Sequence, residues 1–176
     1  MDAQITRLVQ AGARVPEKGQ FKLTQAILSA LDLEGLVPFI SQLPVANADS
    51  NVATALDVLC YSKNSEELAV VELKCGFSGD VLAPALGLTG GMCRMRRTLR
   101  SAPDCILNRH FAQLSCTLSM FAADPKFMSI VRAHGFKNVT RAVLVYADEL
   151  QSGPRARVYQ LPEWWKKRAP SVLKYI

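Results

Sequence analysis

The chain has 176 residues, 49% of them hydrophobic and 20% charged, which fits one compact domain over residues 1–176 and supplies a core without disulfide or metal staples. Lysine and arginine (21) exceed aspartate and glutamate (15), and the formal net charge is +6, a modest excess that suits a polyanionic partner such as nucleic acid without requiring one. The five cysteines, Cys60, Cys75, Cys93, Cys105 and Cys116, are odd in number and contain no CxxC pair, which excludes a zinc-ribbon spacing and a paired disulfide framework.

Reduced, mostly buried thiols are therefore expected. The opening MDAQITRLVQAG lacks the apolar core of a signal peptide, and no apolar run reaches membrane-spanning length. An intracellular protein is expected, in the nucleus or the cytoplasm alike, with no membrane partner. A protein partner or self-association is left open.

In chain order, Phe21 to Phe39 carries helical spacing at Ile27, Leu28, Leu31 and Leu36, with Thr24 near its start and Pro38 as a stop. Residues 41–52 are rich in Ser, Asn, Asp and Pro and read as a connection. Thr54 to Tyr61 (TALDVLCY) and Leu68 to Cys75 (LAVVELKC) read as two strands, and the polar SKNSEE between them suits a hairpin turn. Gly76, Gly79, Gly87, Gly90 and Gly91 then break regularity. After the run Arg94, Arg96, Arg97 and Arg100, Pro103 opens a predicted helix to Ala123. Its apolar face is Leu107, Phe111, Leu114, Leu118 and Phe121, and Asp124-Pro125 ends it. A short helix over 127–134, strands at Val139–Ala147 and Arg155–Leu161, and a terminal helix opened by Pro162 complete the chain. Strands interleaved with helices in this order predict an α/β fold with a mixed β-sheet flanked by helices.

Chemistry concentrates in the hairpin. Alternate side chains along a strand share a face, so Glu72 and Lys74 point one way while Val71, Leu73 and Cys75 point toward a core. Hairpin pairing brings Asp57 beside Glu72. Two close carboxylates repel unless a cation lies between them, and carboxylate and carbonyl oxygens favour Mg²⁺ or Mn²⁺. A lysine beside them suits a role in orienting an attacking water. An isolated ExK pattern is common by chance, and Asp124-Pro125-Lys126 is another match of the same kind at a turn. An edge strand carrying an ordinary Glu–Lys pair is the competing reading. Context favours the site, because charges inside VVELKC are unfavourable unless they converge on a cation or on one another.

With Asp57 in LDVL and Glu72-Leu73-Lys74 in VVELKC on neighbouring strands, the chain resembles the PD-(D/E)XK nuclease superfamily. The resemblance implies a restriction-endonuclease-like core of helix, three strands, helix and strand over about residues 22–147. It implies metal held by Asp57, Glu72 and the Leu73 carbonyl, and a lysine, Lys74, that assists the attacking water. Some branches of that family place a glutamine on the following helix, where Gln113 stands in RHFAQLSCTL. The family's first helix sometimes adds a glutamate, for which Glu17 and Glu34 are both candidates. Ala55-Leu56 precedes Asp57 where the name motif has proline, and the first core strand has to come from residues 36–45, which contain Pro38 and Pro44.

The expected activity is metal-dependent hydrolysis of DNA or RNA, with Asp57, Glu72, Lys74 and Gln113 as the catalytic set. The alternative is a nuclease-like module, weak or inactive in cleavage, that binds nucleic acid or protein. Arg94, Arg96, Arg97, Arg100, Arg109 and His110 are the candidate nucleic-acid contacts, against a solvated helix face as the plain reading. Trp164-Trp165 is read as packing the tail onto the core.

Overall fold

A computed structural model describes residues 22–173 apart from 78, 89 and 151, and leaves the side chains of Arg97 and Ile130 undescribed. The elements are α1 (Lys22–Leu33), β1 (Leu36–Asn47), β2 (Val52–Ser62), β3 (Glu67–Cys75), a 3₁₀ turn (Arg97–Leu99), α2 (Ile106–Ala123), α3 (Pro125–Ala133), β4 (Asn138–Leu150), β5 (Gly153–Gln160) and α4 (Glu163–Leu173). The five strands form one mixed sheet in the order β1-β2-β3-β4-β5. β1, β2 and β3 run antiparallel in turn, β4 lies parallel to β3, and β5 returns antiparallel to β4. Order and pairing agree with the α/β fold, a mixed β-sheet flanked by helices, expected from the sequence.

The parallel step fixes the architecture. A parallel neighbour requires a crossover, and α2 with α3 supplies it on one face of the sheet. The helix α2 buries Leu107, Phe111, Leu114, Leu118 and Phe121, the five residues of the predicted stripe, against Leu68, Val70, Leu144 and Tyr146. The opposite face packs Val58, Cys60, Val71, Leu73, Val143 and Val145 against Ile27 and Leu31 of α1. Both faces of β3 and β4 are covered, which explains the near-continuous apolar runs LAVV and AVLVYA. Trp165 is 3% exposed and meets Trp164 and Phe111 edge-on or tilted at 4.8 and 6.2 Å, so the tail does pack onto the core.

Several local expectations are corrected. The first helix stops at Leu33, with Gly35 at φ 68° turning the chain. Leu36 to Asn47 is a strand rather than a helix end and a connection. Its two prolines are tolerated because β1 is an edge strand, and the pairing with β2 shifts between Pro38 and Ile40. Helix α2 begins at Ile106, three residues beyond Pro103. Asp124 both ends α2 and caps α3, its Oδ1 accepting from the Lys126 N–H at 2.8 Å, which is the ordinary role of that Asp-Pro-Lys segment. Cys75, expected toward the core, is exposed at the end of β3, while Cys60, Cys105 and Cys116 are buried. Among the described residues no helix is long and apolar enough to cross a membrane.

Candidate metal and phosphodiester site

The hairpin register places the site. Val58 pairs with Val71, Leu59 with Val70, Cys60 with Ala69 and Tyr61 with Leu68. One further step of that register sets Asp57 opposite Glu72, but there the backbone ladder stops. The Asp57 side chain takes over, its Oδ2 accepting from the Leu73 N–H at 2.8 Å. A carboxylate that caps a sheet amide is fixed in place by the strand it faces. Asp57, Glu72 and Lys74 lie on the α2 side of the sheet.

Glu72 is 3% exposed, in a row of otherwise apolar residues. Its Oε1 accepts from Lys74 Nζ at 2.7 Å and from Gln113 Nε2 at 2.7 Å. Lys74 Nζ also donates to Gln113 Oε1 at 3.2 Å. The three side chains close a ring in which Gln113, reaching down from α2, orients both charged groups. Glu72 Oε2 is buried with no hydrogen-bond partner. Burial pushes the Glu72 carboxyl above its ordinary range; the Lys74 hydrogen bond opposes this, and the negative charge of Asp57 adds to it.

Further along the same face stands a neutral aromatic wall. Lys74 is paired across β4 with Tyr146, whose hydroxyl lies 2.7 Å from His110 Nδ1. Phe77 meets the His110 and Tyr146 rings edge-on at 5.2 and 5.6 Å. Burial, then the charge of Lys74, depresses the His110 pKa to about 4, so the imidazole is neutral at pH 7. Behind Tyr146, Asp148 is 3% exposed and accepts from Arg157 Nη2 at 3.1 Å, while the same nitrogen donates to the Phe77 carbonyl at 2.7 Å.

Of the sequence candidates, the structure brings Asp57, Glu72, Leu73, Lys74, Gln113 and His110 to one end of the sheet. Arg109 grips Asp104 with two bonds, Nε–Oδ1 at 2.6 Å and Nη2–Oδ2 at 3.0 Å. Arg94 is exposed and donates to the Ser101 carbonyl at 2.9 Å; Arg96 and Arg100 are exposed as well. The Arg97 side chain and Glu17 lie outside the described residues. Glu34 pairs with Arg141 and Gln160 at 2.5 and 2.8 Å instead of joining the carboxylates. Tyr146, Phe77, Asp148 and Arg157 escaped sequence reasoning. Tyr146 lies beside Lys74 through the β3–β4 register, for which a sequence carries no local signal.

Among the described residues no group of three or more His, Cys, Asp and Glu side chains is arranged to hold a metal. The site thus offers two carboxylates, Asp57 and Glu72. That donor set fits Mg²⁺ or Mn²⁺, which commonly take one or two carboxylates and leave the remaining positions to water and phosphate. The partnerless Glu72 Oε2, in a group whose charge burial disfavours, fits a cation in the same way.

No protein-family model matches the chain, and no curated protein matches it. Among solved structures it is similar to a crystal structure named "Putative exonuclease" from Eubacterium rectale, with a TM-score of 0.47 and 8% sequence identity. The alignment covers 98% of this chain, which spans 60% of the length of that one.

Proposed function

We propose that this protein is a metal-dependent phosphodiesterase of the nuclease class, acting on DNA or RNA in the manner of PD-(D/E)XK enzymes. The observation that carries the reading is the buried Glu72 carboxylate with one oxygen bound by Lys74 and Gln113 and the other without a partner, facing Asp57 across the hairpin. Asp57 and Glu72, with the Leu73 carbonyl, would hold Mg²⁺ or Mn²⁺. When bound, the ion supplies Lewis-acid polarisation of a phosphate oxygen and lowers the pKa of a coordinated water.

The chain's own groups do the rest. The Leu73 N–H fixes the Asp57 carboxylate, and Gln113 fixes the lysine ammonium relative to Glu72. Lys74, 17% exposed at its side chain, donates hydrogen bonds that orient an attacking water and stabilise charge growing on phosphate. Neutral His110 and Tyr146 bound the site without adding charge.

The test is cleavage of labelled single- and double-stranded DNA and RNA with Mg²⁺ or Mn²⁺, wild type beside Lys74→Ala. Wild type should cut at least one substrate, and the variant should lose about 10²–10⁴ in turnover while keeping its fold. Full activity in Lys74→Ala refutes the assigned role. A second reading, a nuclease-like binding module, is favoured by one feature: the Lys74 charge is already paired with Glu72. Cation binding without cleavage of any of the four substrates would establish it.

A further inference from the structure

Between β3 and α2 the chain builds a projection that the proposed chemistry leaves unused. Residues 84–87, 91–95 and 102–105 form a small antiparallel ladder. The Cys93 N–H donates to the Ala85 carbonyl at 2.7 Å, Gly87 to Gly91 at 2.8 Å, Ala85 to Asp104 at 2.7 Å and Asp104 to Cys93 at 3.0 Å. Gly90, at φ 78°, makes the turn at the tip, a conformation that side chains with a Cβ rarely adopt. The base is anchored: Val81, Leu99, Ala102 and Cys105 are buried in the core beneath α2, and the Leu107 N–H donates to the Val81 carbonyl at 3.0 Å.

The tip has the opposite character. Leu86 is 70% exposed, Leu88 110% and Met92 53%. Ordinary surfaces keep such side chains scattered; here three of them crown one ladder-bonded finger. Residues 80–105 contain four arginines and two aspartates, of which Asp104 is already gripped by Arg109 of α2, and Arg94, Arg96 and Arg100 are exposed. The finger leaves the sheet just after Lys74 and rejoins it at the start of α2, the helix that carries His110 and Gln113 to the carboxylates.

An apolar crown above a cationic collar matches a ligand with an apolar interior and an anionic rim, which is a base stack between phosphates. We propose that the finger is a wedge: Leu86, Leu88 and Met92 part the terminal base pairs of a duplex while the arginines hold the flanking phosphates. The substrate class becomes double-stranded nucleic acid entered at an end, where unstacking disturbs the fewest neighbours. Its placement beside the reacting strand rests on the nuclease reading; the insertion itself does not. A second copy of the chain is a poorer occupant, because it would bring two arginine collars of a +6 protein together.

The test uses a triple variant, Leu86→Ser with Leu88→Ser and Met92→Ser; all three positions are exposed, so the fold and melting temperature should persist. A duplex carrying 2-aminopurine at its terminal pair is titrated with full-length protein in EDTA, which removes cleavage from the measurement. Wild type should raise the fluorescence as the base unstacks, and the variant should not. With Mg²⁺ or Mn²⁺, the variant should lose at least about tenfold in duplex cleavage and keep its rate on the matching single strand. A fluorescence rise in wild type without any cleavage supports the wedge and removes the nuclease reading. Equal fluorescence and equal cleavage in both proteins overturn the wedge. It is overturned as well by a flat fluorescence signal combined with wild-type binding to phosphatidylserine-containing vesicles, or with a wild-type dimer, that the variant loses.

Discussion

Glu72 and His110 stand close to the same lysine and respond to burial in opposite directions. Burial raises the Glu72 carboxyl above its ordinary 4.5, so the folded chain retains a proton there that the unfolded chain has released. The stability tied to this group is complete below 4.5 and is lost as pH rises through the folded value. His110 falls from 6.5 to about 4 and stays neutral where the unfolded imidazole is already charged. Its contribution is complete above 6.5 and is lost as pH falls toward 4. In a metal-free sample the two partly cancel between these limits. Glu72→Gln removes one of them and keeps an acceptor for Lys74. The melting temperature of that variant, scanned from acid to neutral pH in EDTA, should rise throughout, whereas wild type should flatten or turn down toward neutral pH. Parallel profiles for the two proteins would show that the Glu72 carboxylate carries no burial-driven cost.

Helix α2 divides its labour between two adjacent residues. Leu114 is 0% exposed in the core, and Gln113 points instead to Glu72 and Lys74. Leu114→Ala should lower stability by about 2–5 kcal/mol through lost contacts and a residual cavity. Gln113→Ala should lower it by about 1 kcal/mol, the worth of an ordinary hydrogen bond, and reduce turnover more than substrate affinity. Urea denaturation and, on any nucleic acid the protein cleaves, steady-state kinetics on both variants check the division; a Gln113→Ala variant with unchanged turnover would make that side chain a spectator.

The same helix shows what could be read from sequence. Its stripe from Leu107 to Phe121 recurs every three or four residues, so the buried face was readable, and the alternation around Asp57 and Glu72 gave the hairpin and the carboxylate pair. β1 was obscured because Pro38 and Pro44 mimic a loop, and only its edge position, a property of the whole sheet, makes them acceptable. The Tyr146–His110–Phe77 wall was hidden for a similar reason. It is assembled by the parallel register Lys74–Tyr146 across a crossover of more than sixty residues, and local patterning does not encode that register.

At the scale of the molecule, two covered sheet faces hold an electrostatically unfavourable arrangement at one end. Neighbouring β3 and β4 supply the apolar bulk, and Asp57 and Glu72 are held together by a strand amide, a lysine and a glutamine. A cation that binds only the folded chain stabilises it by mass action, by about 2.7 kcal/mol at a concentration one hundredfold above Kd. The relief is greatest where two carboxylates are held together and one is buried. Isothermal titration calorimetry with Mn²⁺ on wild type, Asp57→Asn and Glu72→Gln tests this most directly, because it needs neither a substrate nor a retained cleavage step. Saturable binding in wild type, lost or weakened at least about tenfold in each variant, is the predicted result; equal Mn²⁺ affinity in all three proteins would contradict it.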